Sequence, residues 1–126
     1  MKKSIILLLL ITSITVFGQT KKEMLTQKWQ LNMVEEFGDQ FSPMENQKND
    51  WISFSEDGKF TGVIENLHTQ GEWIVKDDKT ILTLNKQLSK VKINWIRETT
   101  VSKTQFSFKY QNGDLITSTL IFIPAE

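Results

Sequence analysis

The chain has 126 residues, with 15 basic and 15 acidic side chains, one histidine and no cysteine. That length is one domain's worth, and the missing cysteines exclude a disulfide-stapled scaffold. The balanced charge, with no run of like sign longer than two residues, leaves no basic face for a nucleic acid.

At the N-terminus, Lys2 and Lys3 form a positive segment ahead of an apolar run from Ile5 to Phe17. Gly18 follows as a small residue at a cleavage point, with Val16 two positions before it. This is the layout of a secretory signal peptide over residues 1–18. The run is shorter than the roughly 20 apolar residues of a transmembrane helix, and no cysteine is present to carry a lipid. The expectation is export to the periplasm or the extracellular medium, with residues 19–126 as one domain and no membrane span after cleavage. A domain of that size buries about 60% of its unfolded surface and can stand on its core alone.

Residues 21–27 can form a short helical turn. From Lys28 onward the pattern is period two, with turn residues at regular intervals, which is the signature of an all-β sandwich or barrel. Eight strands are expected: Lys28 to Glu36, with Trp29, Leu31 and Met33 on one face; Asp50 to Ser55; Lys59 to Asn66; Thr69 to Lys76; Thr80 to Asn85; Lys90 to Thr99; Ser102 to Tyr110; and Leu115 to Ile123. Glu56-Asp57-Gly58, Asp77-Asp78 and Gln111-Asn112-Gly113-Asp114 supply turns, and Pro124 ends the last strand because it lacks the ladder donor. The one long connection is the loop from Phe37 to Asn49. Short connections make neighbours antiparallel, and a meander of this length splits into two sheets or closes. Closure removes the edges, so the expected fold is an eight-stranded antiparallel up-and-down barrel.

The four tryptophans stand at 29, 51, 73 and 95, each 22 residues after the last. The spacing reads either as one strand–turn–strand unit, placing the indoles at comparable heights in the barrel, or as coincidence.

Few residues suggest chemistry. His68, the single histidine, falls at an expected turn and has no companions to complete a zinc site. Glu65 and Glu72 can face each other across a hairpin, the arrangement that acid–base carboxylates need, or can be solvated charge. Neither Glu56-Asp57 nor Asp77-Asp78 has calcium-loop spacing, and no Gly-x-Ser-x-Gly elbow is present. No enzyme, metal or cofactor is expected. Arg97, the single arginine, follows Trp95 by two residues and so shares its face. Pointing inward it is an anion hook at a cavity mouth, and otherwise it snorkels or stacks on an indole. Phe106, Phe108 and Tyr110 share one face of a strand, and Phe60, Trp73 and Trp95 come from nearby strands. Such a set makes either an apolar pocket wall or a filled core.

Three segments, Leu25 to Leu31, Ile52 to Gly62 and Gly71 to Leu84, resemble the lipocalin-like domain family of small exported bacterial proteins, a calycin-type β-barrel group. The resemblance implies an eight-stranded barrel with a short turn before the first strand. It also implies that Trp29 plugs the closed end, and that small apolar molecules can be bound. Gln27 stands where the family usually has glycine two residues before the plug, and no arginine occurs on the last strand.

Two functions follow as expectations. One is an exported lipocalin-like barrel binding a small apolar or amphipathic molecule, lined by Phe60, Trp73, Trp95, Phe106, Phe108 and Tyr110 with Arg97 at its mouth. The other is a ligand-free interaction or structural module of the cell envelope with a filled core. Its protein partner would meet the loop 37–49 through Phe37, Phe41 and Met44. A monomer is expected in either case.

Overall fold

The computed structural model describes residues 20–125, so the leader expected over residues 1–18 lies outside the described residues. The chain enters through a short helix, α1 (Lys21–Leu25), whose N-terminus is capped by the Thr20 hydroxyl accepting the Glu23 N–H at 3.2 Å. Nine strands follow: β1 (Lys28–Glu36), β2 (Asp39–Phe41), β3 (Trp51–Phe54), β4 (Lys59–Ile64), β5 (Leu67–Lys76), β6 (Lys79–Leu84), β7 (Ile93–Val101), β8 (Phe106–Asn112) and β9 (Thr117–Pro124). All pairings are antiparallel, and the sheet order is β6-β5-β4-β3-β1-β9-β8-β7, with β2 beside β1. The first and last strands therefore pair, and the result is an all-β, nearly closed antiparallel barrel.

Tight turns account for much of this meander. Phe37-Gly38, Glu65-Asn66 and Asp77-Asp78 each carry two successive residues with positive φ. That is the two-residue hairpin geometry whose twist matches the flanking strands. The turn at Phe37-Gly38 folds residues expected to be loop into the short β1–β2 hairpin. The turn at Glu65-Asn66 comes earlier in the chain than expected, so His68 lies on β5, exposed, with Nε2 2.7 Å from the Gln70 Oε1. Gly71 is needed for packing: a Cβ there would meet the Thr83 carbonyl oxygen at 2.1 Å and the Phe60 ring at 2.9 Å.

Bulges decide which residues face inward. In β1 the register slips between Leu31 and Met33, so Trp29, Leu31 and Val34 are buried and Met33 is not. One inserted residue reverses the alternation beyond it, which is why the expected Trp29-Leu31-Met33 face fails at its third member. β7 slips twice, between Ile93 and Trp95 and between Glu98 and Thr100. β7, β8 and β9 each begin a few residues later than expected, with a turn at Ser102–Gln105 between the first two. Leu115, expected to open the last strand, sits in the β8–β9 turn with φ of 67°.

Where an ideal barrel would join β6 to β7, no ladder forms among the described residues. The connection between the two strands instead turns back on β5: Asn85 N–H donates to the Gln70 carbonyl and Lys90 N–H to that of His68, at 2.9 and 2.8 Å. At the other end the seam is spanned by side chains. Thr80 Oγ1 donates to Glu98 Oε1 at 2.6 Å, and Lys21 Nζ of α1 meets Glu98 Oε2 at 3.0 Å. Both members of that ion pair are largely shielded. α1 thus closes one end of the barrel and covers the adjoining end of the seam.

Candidate functional site

The barrel interior is a continuous aromatic cluster. Inward-facing positions on β3, β4 and β5 contribute Ile52, Phe54, Phe60 and Trp73; β8 contributes Phe106, Phe108 and Tyr110; β9 contributes Leu120 and Phe122. Phe54 stands edge-on to Trp73 and Phe106 at 5.1 and 5.3 Å between centroids. Phe106 meets Phe108 at 5.6 Å, and Phe108 meets Phe122 at 5.5 Å. These separations lie within the range of favourable aromatic packing.

Of the residues expected to line a pocket, Phe60, Trp73, Phe106, Phe108 and Tyr110 are brought together, each no more than 3% exposed. Trp95 and Arg97 are not among them. They do share a face, but the bulge before Trp95 turns that face outward, and the Arg97 guanidinium lies over the Trp95 ring at 4.9 Å from its centroid. Of the two readings of Arg97, an inward anion hook or a stack on an indole, the contact is the second. Trp51 also lies on the outer face, beneath the Lys28 ammonium at 4.6 Å, while Trp29 and Trp73 are buried. The 22-residue spacing does not place the four indoles alike. Phe54 and Phe122 also belong to this interior, beyond the residues expected to line it. Their sequence signal is parity, two residues beyond Ile52 and Leu120 respectively.

Trp29 is fully buried against Phe106 at 5.8 Å, and its indole Nε1 donates to the Leu25 carbonyl at 3.1 Å. α1 therefore supplies both the lid over this end and the acceptor for the indole. Trp73 Nε1 is satisfied in the same way by the Ser55 carbonyl at 3.0 Å.

The opposite end of the barrel is polar. Asp50, 1% exposed, accepts the Glu65 N–H at 2.7 Å and the Asn66 N–H at 3.0 Å. Its carboxylate thereby caps the strained hairpin turn between β4 and β5. Burial pushes Asp50 up to about 6, against the opposing effect of those two N–H donors. Tyr110 O–H donates to Glu65 Oε1 at 3.1 Å, and Ser118 O–H to Glu36 Oε1 at 2.9 Å. Burial first, and the Glu65 carboxylate second, hold the Tyr110 phenol above the usual tyrosine range.

Asp50, Glu65, Asn66 and Tyr110 form one hydrogen-bonded chain, and Ser118–Glu36 is a separate pair beside it. Glu72 is not among these groups: it lies opposite Lys59, exposed, which matches the solvated-charge reading rather than a Glu65–Glu72 pair. Among the described residues, no three histidine, cysteine, aspartate or glutamate side chains are grouped as a metal site would require.

Five clefts of about 340 to 590 Å³ are found among the described residues, one bordered by Glu65 at the polar end and another by Trp73. None of them is lined by Phe54, Phe106, Phe108 or Phe122. One cleft, about 530 Å³, lies between the β1–β2 and β8–β9 turns and is lined by Phe37, Leu115, Ile116, Glu35 and Lys109 among others. Phe37 is 89% exposed and Leu115 71%, whereas Phe41 packs against the core and is no exposed anchor. Met44 is half exposed, and Gln47 of the same loop is buried with its Oε1 accepting the Met44 N–H at 3.3 Å.

No family model matches the chain, and no curated protein matches it. Among solved structures it is similar to one described as the NMR structure of a protein from Burkholderia xenovorans. That likeness has 15% identity and a TM-score of 0.47, covering 82% of this chain and 86% of that one.

Proposed function

We propose that this protein is an exported, non-catalytic interaction module built on a filled lipocalin-like barrel. In this reading residues 1–18 are removed on export, the interior serves stability, and the working surface is outside. The observation that carries it is the ring-to-ring packing of Phe54, Trp73, Phe106, Phe108 and Phe122, at 5.1 to 5.6 Å, across the space where a small-molecule barrel keeps its ligand. The exposed apolar residues Phe37, Leu115 and Ile116 gather at one rim and supply the working surface.

The test is a titration of the delipidated exported protein with fatty acids and an environment-sensitive apolar probe, followed by tryptophan fluorescence. No saturable change is expected. Saturable one-to-one uptake that Trp73→Ala or Phe108→Ala weakens would overturn the filled-barrel reading in favour of an internal ligand.

A further inference from the structure

The outer face of β1, β9 and β8 carries a row whose charges are arranged end to end. Glu35 pairs with Thr119, and Thr119 pairs with Lys109, so the three lie side by side across three strands. Their chain neighbours Val34, Leu120, Phe108 and Tyr110 are buried, which puts the row on the outside. Glu35 and Lys109 flank the same cleft, and among the described residues neither takes part in an ion pair.

At the rim end of these strands, the apolar side chains are also split across β9. Phe37 lies on the β1 side, and Leu115 and Ile116 lie on the β8–β9 side. Phe37 and Leu115 both have positive φ, at 54° and 67°. That conformation is unfavourable for bulky side chains and is tolerated only where the surroundings impose it. Here it holds two large apolar groups out in solvent.

Such an arrangement is self-complementary. A two-fold axis parallel to β9 and above Thr119, in the plane between two facing copies, lays the Lys109 of one copy over Glu35 of the other, twice. The same operation lays Phe37 of each copy over Leu115 and Ile116 of its mate. An isologous interface requires this property, one patch matching itself under rotation.

We propose that a second copy of this chain docks on the outer face of β1, β9 and β8, with Glu35–Lys109 pairs and Phe37 against Leu115 and Ile116 as its contacts. This rests on the reading of the exterior as the working surface, and names the partner.

The experiment is sedimentation equilibrium of the protein purified after export from the full-length chain. The wild type is expected to associate into dimers with rising concentration. Glu35→Lys and Lys109→Glu each place like charges together at both symmetry-related contacts, and each weakens dimerisation at least about tenfold. An equimolar mixture of the two variants restores dimers, because each then offers the charge the other lacks. Phe37→Ser also weakens association, with unchanged circular dichroism because this side chain touches little of its own fold.

A protein that stays monomeric up to about 1 mM overturns the proposal. So does a dimer indifferent to these charges, a mixture that fails to restore association, or Phe37-dependent flotation of a monomer with lipid vesicles. Each of those outcomes leaves the filled interior intact. Saturable fatty-acid uptake, in contrast, overturns the filled-barrel reading and with it the premise of this interface.

Discussion

At the α1 end of the barrel Trp29, Phe54 and Phe106 pack ring against ring, whereas at the rim end Asp50 accepts the Glu65 and Asn66 N–H groups, Tyr110 bonds to Glu65, and Ser118 bonds to Glu36. The two ends are built by different means. Dispersion and burial hold the first, so its cost function is volume, and a missing ring leaves a void that rigid strands cannot collapse. Hydrogen bonds to a buried carboxylate hold the second, so its cost function is satisfaction and protonation. Trp29 is the largest buried side chain at the first end. The oxygen-rich end opposite it is the part that makes the Glu65-Asn66 turn possible.

The largest expected effect lies at the aromatic end. Trp29→Ala should cost about 3–5 kcal/mol, measured by urea denaturation, because it removes a fully buried indole and strands the Leu25 carbonyl. A loss under about 1 kcal/mol would mean that this end can collapse, and would erase the contrast. Next comes Asp50→Ala, expected to cost about 1–3 kcal/mol by leaving the Glu65 and Asn66 N–H groups without their acceptor.

The same residue gives the polar end its pH signature. Asp50 is raised from 3.8 to about 6 in the fold, so the folded state binds its proton more tightly than the unfolded chain. Its contribution to stability is therefore full below about 3.8 and is lost as pH rises through about 6. Relative to Asp50→Asn, the wild type should lose stability between those pH values and run parallel above them. Parallel curves throughout would show that the carboxylate is not desolvated.

The smallest effect is Tyr110→Phe, about 1 kcal/mol, since the ring stays packed and only the bond to Glu65 is lost. A cost as large as that of Trp29→Ala would show the two ends to be one coupled network.

Much of the strand plan was legible because alternation is a local property. The expected strand Lys28 to Glu36 coincides with β1, and Phe106, Phe108 and Tyr110 share the buried face that their spacing implies. The face of Trp95 and Arg97 was not legible. A bulge adds one residue and leaves no mark in composition, yet it exchanges inside for outside for everything beyond it. The turn at Glu65-Asn66 was missed for a related reason. Glu65 is an unpromising residue for positive φ, and the carboxylate that makes the turn viable is 15 residues earlier in the chain, at Asp50.

The order of apolar and polar residues, by itself, determined that this chain is all-β and antiparallel with a tryptophan-bearing first strand, because a period of two and short turns are enforced within a few residues. Tertiary structure alone decided that the first and last strands pair while β6 and β7 do not. It also decided that two of the four indoles face solvent, and that the rim carries a split row of charge. Each of these depends on register between segments far apart in the chain, where no local pattern reaches.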